Sequence, residues 1–249
     1  MTNNTEFFLE TAQKNLSRFC FMVWDFFQCS EILDIEVYEN SLRCNFENHA
    51  LVFGQPKIEL LKNFNPKGIT SISYDPEWFP LIHQYFTNFS MLDPSIGTGQ
   101  YNTFLCMELT EENFRPKNLT ESRKISDDEY KLLDFRRRIL FSKGLGGVVI
   151  SDHERVIGRA FAPHVVNNED FSYAVVRDVH VDPQHRKSGY GYDLSSKICE
   201  IIFENDIDQI FLWVEERNIP AVKIYKKLGF IVTDKVRSNY CTRRKDIKS

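Results

Sequence analysis

No stretch of this chain approaches the ~18 to 20 uninterrupted apolar residues of a membrane-crossing helix. The most apolar run, Phe19 to Phe27, is short and contains Asp25, so crossing a bilayer on a helix is excluded and no membrane partner is expected. Glycine and proline are sparse, at 11 and 9 of 249 residues, which excludes collagen-like and linker-like chains. The six cysteines (Cys20, Cys29, Cys44, Cys106, Cys199, Cys241) form no C-x-x-C pair, so they are read as buried free thiols, not a zinc ribbon or disulfide framework. His153, His164, His180 and His185 show no H-E-x-x-H or other ligand spacing, and no metal is expected. An excess of positive charge is also missing: 31 Lys and Arg stand against 35 Asp and Glu, a net charge of −4 that argues against nucleic acid as a partner. The start, MTNNTEFFLE, lacks the basic lead and apolar centre of a secretory signal and is too acidic for a transit peptide, so a cytoplasmic protein is expected.

What is present is an ordinary globular composition, 42% hydrophobic and 27% charged, in a chain long enough for one large domain or two small ones. Charge divides unevenly. Residues 1–118 carry 8 basic and 15 acidic side chains, a balance of −7, and residues 119–249 carry 23 and 20, a balance of +3. The polar segment Glu111 to Ser126, with Pro116 inside it, reads as the junction. Two domains are therefore expected, 1–118 and 119–249.

The first is read as mixed α/β. A helical start covers Thr5 to Phe27, followed by strands at Leu42 to Phe46 and Ala50 to Phe53, then a short helix from Ile58 to Phe64. A strand from Ile69 to Tyr74, a helix from Trp78 to Phe86 and a strand from Thr103 to Leu109 complete it. The Gly97-Thr98-Gly99 turn has no phosphate-binding context and is read as a plain loop. In the second domain, Ser126 to Glu129 supplies a cap and first-turn acids for a helix reaching about Phe141. Strands follow at Gly147 to Ser151, Val156 to Ala162 and Phe171 to Val181, then a helix from Gly191 to Glu204, a buried strand from Ile210 to Val214 and a helix from Pro220 to Leu228. A last strand or hairpin follows Gly229, and the Arg243-Arg244-Lys245 run is read as a solvated tail.

The segment that carries chemistry runs from Val179 to Gly191, where a β-rich stretch ends at Pro183 and a basic, glycine-bearing loop opens a helix. The first N–H groups of a helix have no intrahelical partners, and glycines let an anion approach the backbone, so such a turn suits a phosphate. It is not a P-loop, because no Gly-Lys-Ser/Thr follows, and it lacks the third glycine of a dinucleotide fingerprint. A plain strand-to-helix turn is the alternative reading of the loop alone.

The run Arg186-Lys187-Ser188-Gly189-Tyr190-Gly191, preceded by Val179, Val181 and Pro183, resembles the R/Q-x-x-G-x-G/A loop of the GNAT acyltransferase superfamily. A second stretch, Asn218 to Phe230, resembles that family's N-x-x-A-x-x-x-Y-x-x-x-G-F pattern and follows the buried strand Ile210 to Val214. The resemblance covers roughly residues 119–249. It implies an α/β (α+β) fold, a GNAT fold whose mixed sheet splays between strands Phe171 to Val181 and Ile210 to Val214. Acetyl-CoA or another acyl-CoA would enter that split as co-substrate, with its pantetheine arm satisfying the main chain of Val179, His180 and Val181. Arg186, Lys187, Ser188, Gly189, Tyr190 and Gly191 would hold the pyrophosphate.

The resemblance also implies that Tyr225 protonates the departing thiolate, although its spacing with Ala221, Ile224 and Leu228 equally suits core packing. Asn218 suits both a cap for the helix begun by Pro220 and a contact to the cofactor. For the base, Asp178 stands first and His180 second, because alternation along the strand puts them on one face; Glu215 and Glu216 are further candidates, and a surface or ion-paired role is the alternative. Direct attack of a primary amine in a ternary complex needs no covalent nucleophile. A small-molecule amine is expected ahead of a protein lysine or N-terminus, with longer acyl chains and glycine-type acceptors left open. A non-catalytic acyl-CoA-binding regulatory module is the alternative class. The first domain resembles the divergent or GNAT-like N-terminal half of two-domain members, and its acidity suggests a cover for the acceptor side. A monomer or homodimer is expected.

Overall fold

The computed structural model describes residues 3–29, 34–46, 49–64, 66, 68–90, 102–116, 121–132, 144–153 and 155–244. The chain forms two compact units, Met1–Leu105 with Asp234–Ser249, and Cys106–Thr233. The division thus falls at Leu105/Cys106 and not at 118/119, and the C-terminal segment rejoins the first unit, which a linear reading of composition does not reveal. The chain leaves the first unit within one strand and returns to it within another.

In the first unit, helices α1 (Asn3–Lys14) and α2 (Leu16–Cys29) replace the single helical start. The break is at Asn15, whose carbonyl accepts from Arg18 N–H and Phe19 N–H at 3.0 and 3.2 Å and so starts a second helix. Phe8 and Phe19 pack edge to face at 6.0 Å between the two. Strands β1 (Asp34–Tyr38), β2 (Ser41–Phe46), β3 (His49–Phe53) and β4 (Ile69–Tyr74) stand in sequence order, with β3 and β4 parallel. Strand β1 escaped sequence reading because Asp34-Ile35-Glu36-Val37-Tyr38 is an edge strand; Arg43 of β2 holds its Asp34 and Glu36 carboxylates at 2.9 and 2.7 Å. Helices α3 (Glu59–Lys62) and α4 (Phe79–Tyr85) and strand β5 (Phe86–Ser90) complete a core around Tyr74, Trp78 and Phe86. The turn at Gly97 to Gly99 lies outside the described residues.

The C-terminal strand β12 (Ile231–Arg243) pairs antiparallel with β4 and β5. Buried Arg18 fixes its entry, donating to Asp75 and to Asp234 at 2.7 Å each and to the Lys235 carbonyl at 2.8 Å. At the other end the expected solvated tail is corrected. Arg243 donates to the Leu61 and Lys62 carbonyls at 2.7 and 2.8 Å, and Arg244 to those of His83 and Phe86 at 3.3 and 3.1 Å. The two arginines thus place donors and positive charge at the C-terminal ends of α3 and α4.

The second unit is a mixed sheet in the order β6-β11-β10-β9-β8-β7. Its strands are β6 (Asn102–Thr110, of which the unit holds residues from Cys106), β7 (Arg123–Lys124), β8 (Gly147–Asp152), β9 (Arg155–Asn167), β10 (Ser172–Val181) and β11 (Gln209–Glu215). The helix expected at Ser126 begins as α5 (Asp127–Leu132), opened by a reciprocal cap: Glu129 N–H donates to Ser126 Oγ at 3.4 Å and Ser126 N–H to Glu129 Oε2 at 3.1 Å. Its expected continuation to Phe141 lies outside the described residues. Helix α6 (Tyr190–Phe203) joins β10 to β11, and helix α7 (Ile219–Leu228) joins β11 to β12. Leu194, Ile198, Cys199, Ile201 and Ile202 form the buried stripe of α6.

Candidate active site

Strands β10 and β11 run parallel but pair over only three positions, Tyr173↔Gln209, Ala174↔Ile210 and Val175↔Phe211. Beyond Val175 and Phe211 both strands continue, to Val181 and Glu215, without pairing to one another. The cause is in β10 itself. Its ladder with β9 shifts register twice, between Val175 and Arg177 and between Arg177 and His180, and Asp178 takes a left-handed backbone at φ 47°. Bulges twist and bend a strand away from its neighbour.

The opened edge has directed chemistry. Asp182 N–H donates across to the Ile157 carbonyl at 2.8 Å, and His180 sits opposite Arg159 in the same ladder. Main-chain groups alternate sides along a strand, so those of Val179 and Val181 turn toward the gap. Arg186 takes one of them, its Nε donating to the Val181 carbonyl at 3.0 Å.

Just beyond, Pro183–His185 forms a single 3-10 turn and Gly189 caps α6 in the left-handed region at φ 88°. The Gly189 carbonyl already accepts from Tyr192 and Asp193 N–H at 3.0 and 3.1 Å. The N–H groups of Ser188, Gly189, Tyr190 and Gly191 make no hydrogen bond among the described residues, leaving a cluster of donors at the positive end of a 14-residue helix. Gly191 also has a packing reason. A Cβ there would lie 3.2 Å from Ile224 Cδ1, so its smallness serves the packing of α6 on α7, whereas a Cβ at Gly189 would meet open space.

Tyr225 lies in α7, buried, with its ring 5.7 Å from Phe230 in an edge-to-face contact. Gly229 sets that contact. It closes the helix at φ 106°, brings Phe230 N–H to the Tyr225 carbonyl at 3.0 Å, and leaves no room for a side chain, since a Cβ would fall on the Asn113 carbonyl oxygen. Burial pushes the Tyr225 phenol well above its ordinary range, with nearby Cys199 adding to the shift, so the phenol stays protonated. Its hydroxyl makes no hydrogen bond among the described residues. Asn218 acts as a cap, its Oδ1 accepting from Ala221 N–H at 3.4 Å.

The extra residue between Arg177 and His180 breaks the alternation expected to align Asp178 with His180. Arg159 brings them together instead: it stands opposite His180 and pairs with Asp178, Nε to Oδ2 at 2.8 Å and Nη2 to Oδ1 at 3.3 Å. Gly158, one residue earlier, faces α6, where an added Cβ would lie 2.9 Å from Leu194 Cδ1, so Arg159 and His180 occupy the opposite face. Burial first, and then the Arg159 charge, lower the His180 pKa from its ordinary value, against Asp178 and Asp182. Glu215 is buried at the end of β11, with Arg217 Nε 3.4 Å away, and Glu216 is exposed.

Two contributors had no sequence signal. Asp193 in the first turn of α6 is buried and accepts from Ser122 Oγ at 2.7 Å and Ser122 N–H at 3.1 Å, tying the start of the helix to Ser122. Asp182 reaches His180 Nε2 at 3.4 Å, a contact that depends on the turn at Pro183. Among the described residues no group of three or more His, Cys, Asp or Glu could hold a metal ion, and no helix is long and apolar enough to cross a membrane.

The model of the Acetyltransferase (GNAT) family matches residues 106–230. No curated protein matches the chain. Among solved structures, a Drosophila protein superposes with a TM-score of 0.63 at 14% identity, covering 96% of both chains. A GCN5-related N-acetyltransferase-like protein from Streptococcus suis does so with a TM-score of 0.54 at 15% identity, covering 95% of this chain and 100% of its own. A GCN5-related N-acetyltransferase from Kribbella flavida gives 0.55 at 8% identity, covering 90% and 95%. At such identities the likeness is one of fold.

Proposed function

The chain belongs to the GNAT acetyltransferase family, and from that premise we propose that it transfers an acyl group, acetyl first among them, from acyl-CoA to a primary amine by direct attack within a ternary complex. The observation that carries this reading is the end of β10–β11 pairing at Val175 and Phe211, directly upstream of the free amide cluster at Ser188 to Gly191. An extended, amide-bearing arm fits an unpaired strand edge, and a diphosphate fits a helix start with open N–H groups. Val179 and Val181 N–H would pair with the arm, and Arg186 and Lys187 would add charge at the phosphates.

The acid is Tyr225, whose protonated phenol can give its proton to the departing thiolate. For the base we propose His180 ahead of Asp178. The Asp178 carboxylate is committed to two bonds from Arg159, while burial and that same guanidinium favour the neutral form of His180, whose nitrogen lone pair can take the ammonium proton. The acceptor is proposed to be a small-molecule primary amine ahead of a protein lysine or N-terminus. The protein is proposed to act in the cytoplasm.

The test is to incubate the protein with acetyl-CoA and a panel of amines that includes amino acids, polyamines, amino sugars and lysine peptides, following free thiol and the mass of each acceptor. Acetylated product from any amine supports the reading. Donor binding without turnover on the whole panel overturns it in favour of a binding module.

A further inference from the structure

His180 sits between two acid–arginine pairs that do different things to it. On one side Arg159 is bonded to Asp178. On the other, Asp182 presents Oδ1 to His180 Nε2 at 3.4 Å while its Oδ2 accepts from Arg155 Nη2 at 2.8 Å. The main chain holds Asp182 as firmly as the side chain: its N–H donates to the Ile157 carbonyl, its own carbonyl accepts from His185 N–H at 2.9 Å, and Pro183 follows. Its side chain is 21% exposed and that of His180 35%, so the contact is neither free in solvent nor sealed from it.

We infer that Asp182 is a positioning residue for the reaction, holding the His180 imidazole by Nε2–H and leaving the Nδ1 lone pair as the proton acceptor. This rests on the assignment of His180 as base. A carboxylate bonded to one ring nitrogen selects the tautomer, fixes ring orientation and stabilises the imidazolium that forms. In the step proposed, the acceptor ammonium gives one proton to Nδ1, its nitrogen gains the lone pair needed for attack, and the resulting imidazolium later releases the proton to water. The charged groups facing His180 are Arg159 from β9, Asp178 from β10 and Asp182 at the strand end, with Arg155 behind Asp182. Arg159 opposes the imidazolium; the two carboxylates favour it.

The opposed signs give the test. In the full chain, Asp182→Asn should lower kcat on the order of tenfold and leave donor affinity unchanged. It should also move the acid limb of the kcat/KM profile, and the His180 titration followed by NMR, to lower pH. Arg159→Gln should move both to higher pH. A purely structural role for Asp182 would lower activity without moving the titration. Asp182→Asn with an unmoved limb and titration, in protein where His180→Gln abolishes turnover, would overturn the inference while keeping the base. An unchanged kcat in His180→Gln would instead remove the base assignment and the inference together. The titration is readable without any acceptor in hand.

Discussion

Arg186 and Val181 are joined by a hydrogen bond from guanidinium Nε to main-chain carbonyl at 3.0 Å. The bond ties the first residue of the glycine-bearing loop to the last residue of the strand whose edge lies open. Loop and edge are therefore held in relation to one another, and for the acyl-CoA donor proposed above this would reduce the ordering that binding has to impose.

Arg186→Ala should accordingly weaken donor binding about three- to tenfold, the effect of one exposed charge-assisted hydrogen bond, with little change in kcat. Calorimetry with CoA measures it. An unaltered Kd would mean that the tie contributes nothing to the site.

Gly189 separates backbone geometry from charge. Gly189→Ala places a Cβ in open space but keeps φ at 88°, so it should cost about 1–2 kcal/mol of stability, visible as a lower Tm. Gly189→Glu adds a carboxylate beside the open N–H groups and should abolish donor binding as well. Equal CoA affinity in the two variants would contradict a phosphate at this turn.

Tyr225→Phe keeps the ring contact with Phe230 and deletes only the proton donor. The expected result is a fall in kcat of about 10²-fold or more at unchanged donor affinity. Steady-state kinetics on an acceptor found in the amine screen, alongside CoA titration, makes the separation. A kcat within twofold of the parent would take the phenol out of the chemistry.

Glu129 provides a stability test within the second unit. Hydrogen bonds from Arg123 first, then from Ser151 and Ser126 against a cost of burial, hold its carboxyl down to about 2. Because the folded value lies below the unfolded one, the contribution is present above the ordinary carboxylate range and fades as pH falls toward 2. The stability gap between the parent and Glu129→Gln, from urea unfolding, should be open at pH 7 and narrow steadily below about pH 4.5. A gap constant from pH 7 to pH 3 would contradict it.

Much of the site was legible because its parts are local. Gly189 was legible as part of a glycine-bearing turn that opens a helix, although its left-handed cap came only with the structure, and the cap at Asn218 follows from Pro220 two residues on. Strand β4 has the expected limits at both ends, Ile69 and Tyr74, because a short apolar run between turn residues leaves little choice. Asp178 shows where local reading fails. Alternation fixes a face only in a regular strand, and the extra residue of β10 between Arg177 and His180, with the left-handed backbone of Asp178, interrupts it.

The amino-acid order alone settled the glycine loop, the tyrosine helix and the succession of elements between them, because each depends on backbone preferences and periodicity within a few residues. Only the tertiary structure decided how far β10 and β11 stay paired, which carboxylate Arg159 takes and which one His180 keeps. It likewise decided that the last strand rejoins the first unit through Arg18, Arg243 and Arg244. Those outcomes are set by register and charge between segments distant in sequence, for which no local pattern exists.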